Sequence, residues 1–442
     1  MNQLLVLLLI VLCGLTLGWG LLRRQRFLTF PVLAALVYLG WVLPQAFLVV
    51  ADPALPPAGV TATMVMAVLA FVAIIAGWDS HATPRRKAAP VRYRYDERRL
   101  VIALLALSAL GAFLNYQLWS LPEDLLRMGQ WSGPQTILIF FARVQDFALV
   151  LALLLWLATR RAIFLAIFLF NLAFIIEPIV LGARRAGLVE LALIGLGAWW
   201  FQRRWFPSRT VLLAGAVAAA LAFNAIGAIR SVTVPLLYAD DKPNVTEVVS
   251  QLMAIDYLGD FLDPGNNVGH EMRNAVYINA AVLESLHFNF GTGYWDRFVH
   301  QYVPGQLVGF DLKRSLMFSD APDWERMFGV EHHTGTTRTG FSDSFQAFYV
   351  FGAFIFFAIA YAMRWLFDLA ERGELWAQYG YVLLITTALH AITHSTSWFA
   401  KDLPFLLGIS VPLFLFARAR TGARSRPARG ATPSRAGLAE LG

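Results

Sequence analysis

The chain has 442 residues, 58% of them hydrophobic and only 15% charged, with a formal net charge of +7 and a mean hydropathy of +0.57. A soluble domain sits near 45–50% apolar and roughly 25% charged; these values, with many apolar runs of about 20 residues, exclude a soluble globular protein and predict an all-α polytopic membrane protein. A single cysteine, Cys13, rules out a disulfide framework or a cysteine metal site.

In chain order, runs long enough to cross about 30 Å of hydrocarbon fall at 3–22, 28–50, 59–78, 100–119, 135–158, 162–181, 186–202, 210–229, 343–367, 378–397 and 403–417, eleven expected transmembrane helices. The first run is followed by Arg23, Arg24 and Arg26 and preceded by no charge. A cleaved signal peptide has the reverse order, so this run reads as a retained helix with its N-terminus outside. Lys and Arg gather on the inner side of membranes. With that start, Arg23–Arg26, Arg85–Arg99, Arg160 and Arg161, Arg203–Arg209, Arg364, Arg372 and the arginines after 417 lie inside. The short outer loops then carry only Arg127, Arg184, Arg185 and Lys401. The basic balance therefore reads as membrane orientation, with no nucleic-acid partner.

Four regions follow: an N-terminal bundle of about eight spans (1–229), a large extracytoplasmic loop (230–341), three C-terminal spans (342–417) and a disordered basic cytoplasmic tail (418–442). The loop stretch Arg230–Gly340 is patterned. Val245–Met253, Val276–Leu286 and Trp295–Tyr302 carry apolar residues at helical spacing, predicting three amphipathic helices on the membrane surface or over a cavity. Turn signals such as Asp263-Pro264-Gly265 and Pro304-Gly305 separate them.

Charged side chains in or beside spans are costly and mark functional candidates. Arg184 and Arg185 open the seventh span on the face that disfavours arginine, and Glu177 lies one to two turns earlier, before Pro178. Either Glu177 pairs with them and stitches two helices, or the guanidinium forks form an anion clamp suited to phosphate. Arg230 closes the eighth span at the outer surface. Arg143 and Asp146, at i,i+3 in the fifth span, read as a structural pair. His332, His333 and Arg338 place two bases of near-neutral pKa and a fixed cation just outside the membrane. His390 and His394 share one face of the tenth span in a hydrogen-bonding role, since no carboxylate follows at a zinc spacing. Lys401 and Asp402 read as a surface ion pair in the last outer hairpin. No P-loop, dinucleotide-binding glycine pattern, GxSxG or HExxH occurs, which excludes the common nucleotide and hydrolase chemistries; no metal or cofactor site is predicted.

The plan resembles the Wzy-type O-antigen polymerases and their relatives, the O-antigen ligases. The likeness covers ten to twelve spans with one late periplasmic loop, and two local patterns. Gly182-Ala183-Arg184-Arg185-Ala186-Gly187-Leu188 is similar to the family's arginine–small–apolar helix start. Ser342-Asp343-Ser344 followed by FQAFYVFGAFIFF, with Gly352, is similar to the segment where the loop re-enters the membrane. The ligases begin that segment with a histidine; Ser342 and Asp343 stand in the neighbourhood here, which favours the polymerases. The resemblance implies a metal-independent, GT-C-like membrane glycosyltransferase without a cofactor. It would polymerise undecaprenyl-pyrophosphate-linked oligosaccharide repeat units on the periplasmic face of a bacterial inner membrane, alongside a chain-length-regulating partner. Arg184, Arg185 and Arg230 would hold the pyrophosphate. His332, His333, Arg338 or Asp343 would orient or deprotonate the acceptor hydroxyl. Trp295, Tyr302 and Trp324 would hold sugars and lipid, with Glu177, His390 and His394 completing the substrate site. The alternatives are ligase-type transfer to an acceptor and a lipid-linked oligosaccharide flippase.

Overall fold

A computed structural model describes residues 1–80, 95–121, 134–180, 185–205, 270–318, 321–331 and 336–419, with isolated positions between 207 and 255. Every regular element among them is helical, and eight helical stretches are long and apolar enough to cross a membrane. The protein is a multi-pass helical membrane protein.

The N-terminal helices are α1 (Asn2–Leu21), α2 (Phe30–Ala51, with a π turn at Tyr38–Val42), α3 (Pro57–Ser80) and α4 (Glu97–Trp119). The fifth crossing is broken at Arg143 into α5 (Pro134–Ala142) and α6 (Val144–Thr159). Next come α7 (Ala162–Val180) and α8 (Arg185–Arg203). These coincide with the sixth and seventh expected spans, but neither is among the eight stretches that satisfy length and hydropathy. The eighth expected span, 210–229, lies outside the described residues.

The core is organised around α3. In lipid, helices associate through close packing of small residues rather than through a hydrophobic force. Gly59 and Gly77 supply that packing at the two ends of α3. A Cβ on Gly59 would lie 2.3 Å from the Val276 carbonyl oxygen, and one on Gly77 would lie 2.3 Å from that of Phe357. Buried polar pairs add interhelical clamps: Asn279 donates to Thr63 Oγ1 at 2.8 Å, Asn171 to Ser108 Oγ at 2.8 Å, and Tyr38 to the Ala67 carbonyl at 3.0 Å. Each such clamp contributes about 0.6 kcal/mol in a membrane.

The stretch expected to form the loop contains α9 (Glu271–Ser285), α10 (Thr292–Tyr302), the short α11 (Gly305–Val308) and α12 (Phe310–Ser315), and α13 (Trp324–Phe328). The sequence places the Val276 helix on the membrane surface or over a cavity. Instead α9 is buried along most of its length, because it fills the space beside Gly59 of α3. The helix expected at Val245–Met253 lies largely outside the described residues.

The chain continues through α14 (Thr339–Phe348), a 3-10 turn at Tyr349–Gly352, and α15 (Ala353–Glu371). The break is built in: Tyr349 takes a φ of +55°, and a Cβ on Gly352 would lie 2.1 Å from the Ser344 carbonyl oxygen. Two helices, α16 (Leu375–Thr393) and α17 (Ser397–Ala417), complete the bundle.

The last expected hairpin differs from expectation. Helix α17 starts at Ser397, so Lys401 and Asp402 lie within it rather than in a hairpin. They do not pair with each other. Asp402 is buried and takes a bidentate contact from Arg143, Nη1 to Oδ1 at 3.0 Å and Nη2 to Oδ2 at 3.1 Å. The guanidinium of Arg143 is thus committed to α17 rather than to Asp146 on its own helix. The Lys401 ammonium sits 3.5 Å from the Trp398 ring centroid.

At its far end α17 meets the start of α4: the Asp96 amide donates to the Ala417 carbonyl at 2.8 Å, and Arg99 Nη1 donates to that of Phe416 at 3.2 Å. The Ser397 end and the Arg99/Arg418 end are thus separated by a 21-residue helix, about 30 Å at 1.5 Å per residue. That equals the thickness of the hydrocarbon core.

Candidate functional site

The site forms where α10, α14 and the Ser395–Ser397 turn converge. Asn274 of α9 donates to Thr336 Oγ1 at 2.8 Å and to the Thr337 carbonyl at 3.2 Å, and Thr337 Oγ1 donates to the Thr393 carbonyl at 2.8 Å. Gly340 lets the start of α14 lie against the end of α16, where a Cβ would fall 1.8 Å from the Ala391 carbonyl oxygen. These contacts fix α14 so that Asp343, 7% exposed, faces the Ser395–Ser397 turn.

Four donors reach Asp343. Its Oδ1 pairs with Arg297 Nη2 at 2.5 Å. Its Oδ2 accepts from Ser395 Oγ at 3.0 Å, the Thr396 amide at 3.0 Å and Thr396 Oγ1 at 2.5 Å. A carboxylate offers about four lone-pair sites; three donors crowd Oδ2, and Oδ1 is held by Arg297. The chemistry open to Asp343 is positioning: its charge holds Arg297 from α10 and orders the turn that opens α17.

Arg297 is gripped from a second direction, with Nη1 donating to Ser395 Oγ and to Ser397 Oγ, the latter at 2.9 Å. Tyr294, one turn earlier, shares a 2.6 Å hydrogen bond with Thr396 Oγ1. Since Thr396 Oγ1 donates to Asp343, the phenol supplies the proton of that bond. Burial, followed by the Asp343 charge, raises its pKa well above 10 and keeps it protonated.

Arg338, at the N-cap of α14, completes the group. Its side chain is exposed and has no hydrogen-bond or ion-pair partner among the described residues. Its pKa is lowered by desolvation and then by the positive charge of Arg297, with Asp343 and Glu325 acting in the opposite sense. Two guanidinium groups therefore stand near one buried carboxylate. Guanidinium forks bind multivalent anions in a bidentate manner.

The other sequence-selected residues fall as follows. Arg184, Arg230, His332 and His333 lie outside the described residues, and the side chains of Glu177 and Arg185 are also outside them. Trp295 stacks on Phe298 and donates from Nε1 to the Leu316 carbonyl at 2.8 Å. Tyr302 donates to the Lys401 carbonyl at 2.5 Å, tying α10 to α17. Trp324 is buried, its ring nearly parallel to that of Tyr277 at 6.2 Å, so it packs α13 onto α9 and is not presented to a sugar. The rings of His390 and His394 lie 4.7 Å apart and both pack on Trp398, while His394 Nδ1 shares a 2.8 Å hydrogen bond with Thr393 Oγ1. No group of three or more potential metal ligands occurs among the described residues.

Sequence reasoning singled out Arg338 and Asp343 but missed Arg297, Tyr294 and Thr396. Tyr294 and Arg297 stand one turn apart on a face adjoining the apolar stripe Trp295, Phe298 and Tyr302. A run of three hydroxyl residues between two spans, Ser395-Thr396-Ser397, was the other available signal.

The chain matches no protein-family model, no curated protein and no solved structure. The fold and site define it as a polytopic helical membrane protein in which two arginines stand about a buried carboxylate where α10, α14 and the Ser395–Ser397 turn meet.

Proposed function

We propose that this protein is a membrane glycosyltransferase that polymerises undecaprenyl-pyrophosphate-linked oligosaccharide repeat units into a surface polysaccharide. In this reading it lies in a bacterial inner membrane with its N-terminus and 230–341 loop periplasmic, and it has three crossings beyond the eight apolar stretches. The observation that carries the reading is that Arg297 and Arg338 both stand near the buried carboxylate of Asp343, to which Arg297 is ion-paired. In the reaction, an acceptor hydroxyl oxygen bonds to the anomeric carbon of the donor sugar. The bond from that carbon to phosphate breaks, its electron pair leaves on undecaprenyl diphosphate, and the hydroxyl proton passes to a base. Charge grows on the diphosphate as the bond stretches. Preorganised cations that need not reorient stabilise it most at that moment.

Arg297 and Arg338 are the diphosphate ligands within the described residues, with Arg184, Arg185 and Arg230 as further candidates. Asp343 acts through Arg297. The proton acceptor is drawn from His332 and His333. The separation of this site from the Arg99/Arg418 end by the length of α17 supports the proposed orientation, because basic residues on the far side are the inward-facing set.

The test is genetic. Deleting the chain should make lipid-linked single repeat units accumulate on the outer face of the inner membrane. Trapping of those units on the cytoplasmic face would make the protein a flippase. Full-length but unattached polymer would make it a ligase.

A further inference from the structure

An apolar surface continues from the membrane spans into the loop. Phe141, exposed on α5, lies 6.2 Å from Phe405 of α17, and Phe140 beside it lies 5.5 Å from Tyr302 of α10. Tyr302 is in turn 4.7 Å from Phe298, and Phe298 is 5.9 Å from Trp295. From there the Trp295 indole is bonded to the Leu316 carbonyl, and the segment it holds, α11 and α12, carries Leu307 at 78% exposure and Phe310 and Leu312 at 52% each. Gly309, at φ +92°, turns the chain between these two short helices. Lys313 donates to the His300 carbonyl at 2.8 Å, which fastens α12 back onto α10.

A water-soluble surface seldom shows a contiguous apolar patch of this kind. Here it continues from Phe141, which the spanning segment Gln135–Thr159 exposes on its outer face. We infer that α11 and α12 form an anchor that inserts into the headgroup–acyl boundary of the leaflet on the loop side of the bundle. The occupant of this face is the bilayer itself. Leu307, Phe310 and Leu312 enter the acyl region, while Arg314 and Asp311, both highly exposed, reach the headgroups. The anchor also sets the depth of Arg297. Its helix is pinned to lipid along one face and to Asp343 along the adjoining one, so the Arg297 guanidinium is held at headgroup level. The inference concerns the membrane contact of this segment and stands whatever reaction the site performs.

Cys13 is fully buried in α1, so the native chain is an unlabelled blank. The full chain is reconstituted in phosphatidylcholine–phosphatidylglycerol vesicles with a nitroxide at Leu307→Cys, Phe310→Cys or Leu312→Cys, and at Leu110→Cys on the exposed face of α4 as a lipid reference. Oxygen partitions into lipid and a neutral nickel chelate into water. The three anchor labels should collide with oxygen several-fold more than with nickel, approaching the Leu110 ratio. Free collision with nickel at all three sites would overturn the inference by showing a water-exposed face. Inaccessibility to both reagents would overturn it by showing cover from residues 206–269 of this chain. Spectral broadening that grows with protein density would overturn it by placing a second copy there.

Discussion

Arg297 and Asp343 stand 46 positions apart in the sequence and form the ion pair on which the site is built, Nη2 to Oδ1 at 2.5 Å. The carboxylate is nearly fully buried and the arginine half-buried. Breaking such a pair from one side leaves an uncompensated charge and costs about 3–5 kcal/mol. Asp343→Ala should therefore lower the thermal unfolding midpoint of the purified protein markedly and abolish chain extension. An unchanged midpoint would contradict the assignment of Asp343 as the positioning group.

Arg338 should behave in the opposite way. Its side chain makes no hydrogen bond or ion pair among the described residues, so Arg338→Ala should change stability by no more than about 0.5 kcal/mol. Loss of one charge-stabilising donor typically costs about 10²–10³ in rate. A fall in polymer yield with an unmoved midpoint, and partial recovery in Arg338→Lys, would check this; Lys keeps the charge without the bidentate fork.

The Arg143–Asp402 pair makes a structural prediction. Either Arg143→Met or Asp402→Leu alone should destabilise by about 3 kcal/mol, while the double variant should recover most of the loss because the desolvation cost disappears with the charges. Thermal midpoints of the four proteins give the coupling, and the double variant should still extend chains.

Tyr294 makes a pH prediction. Its hydroxyl is outside the spans and its folded pKa lies well above the ordinary 10, raised by burial and by Asp343. The sign follows from linkage: the unfolded phenol loses its proton first as pH rises, so the stability held below about pH 10 is lost above it. Stability measured from pH 9 upward should decline less steeply in Tyr294→Phe than in the native protein.

Membrane class and most apolar helices were legible because hydrocarbon thickness imposes a length that a run of apolar residues reports directly. Asp343 and Arg338 were legible as charged residues beside a segment expected to re-enter the membrane. Arg297 was not, because its partners lie 46 residues later, at Asp343, and about a hundred later, at Ser395 and Ser397, and no local spacing encodes that. The same holds for Asp402. Next to Lys401 it reads as half of a surface pair, yet α17 begins early enough to draw it inside against Arg143. The family resemblance gives Trp324 a sugar-holding role, whereas in the structure it is buried against the Tyr277 ring of α9.

The most direct test of the central claim is extension of purified lipid-linked repeat units by the reconstituted full chain, comparing native protein with Arg297→Ala and Arg297→Lys. The native protein should convert single units into a ladder of longer lipid-linked products, Arg297→Lys should be slower, and Arg297→Ala should lose about 10²-fold or more in rate. A native-rate ladder from Arg297→Ala, or no ladder from the native chain, would contradict the account.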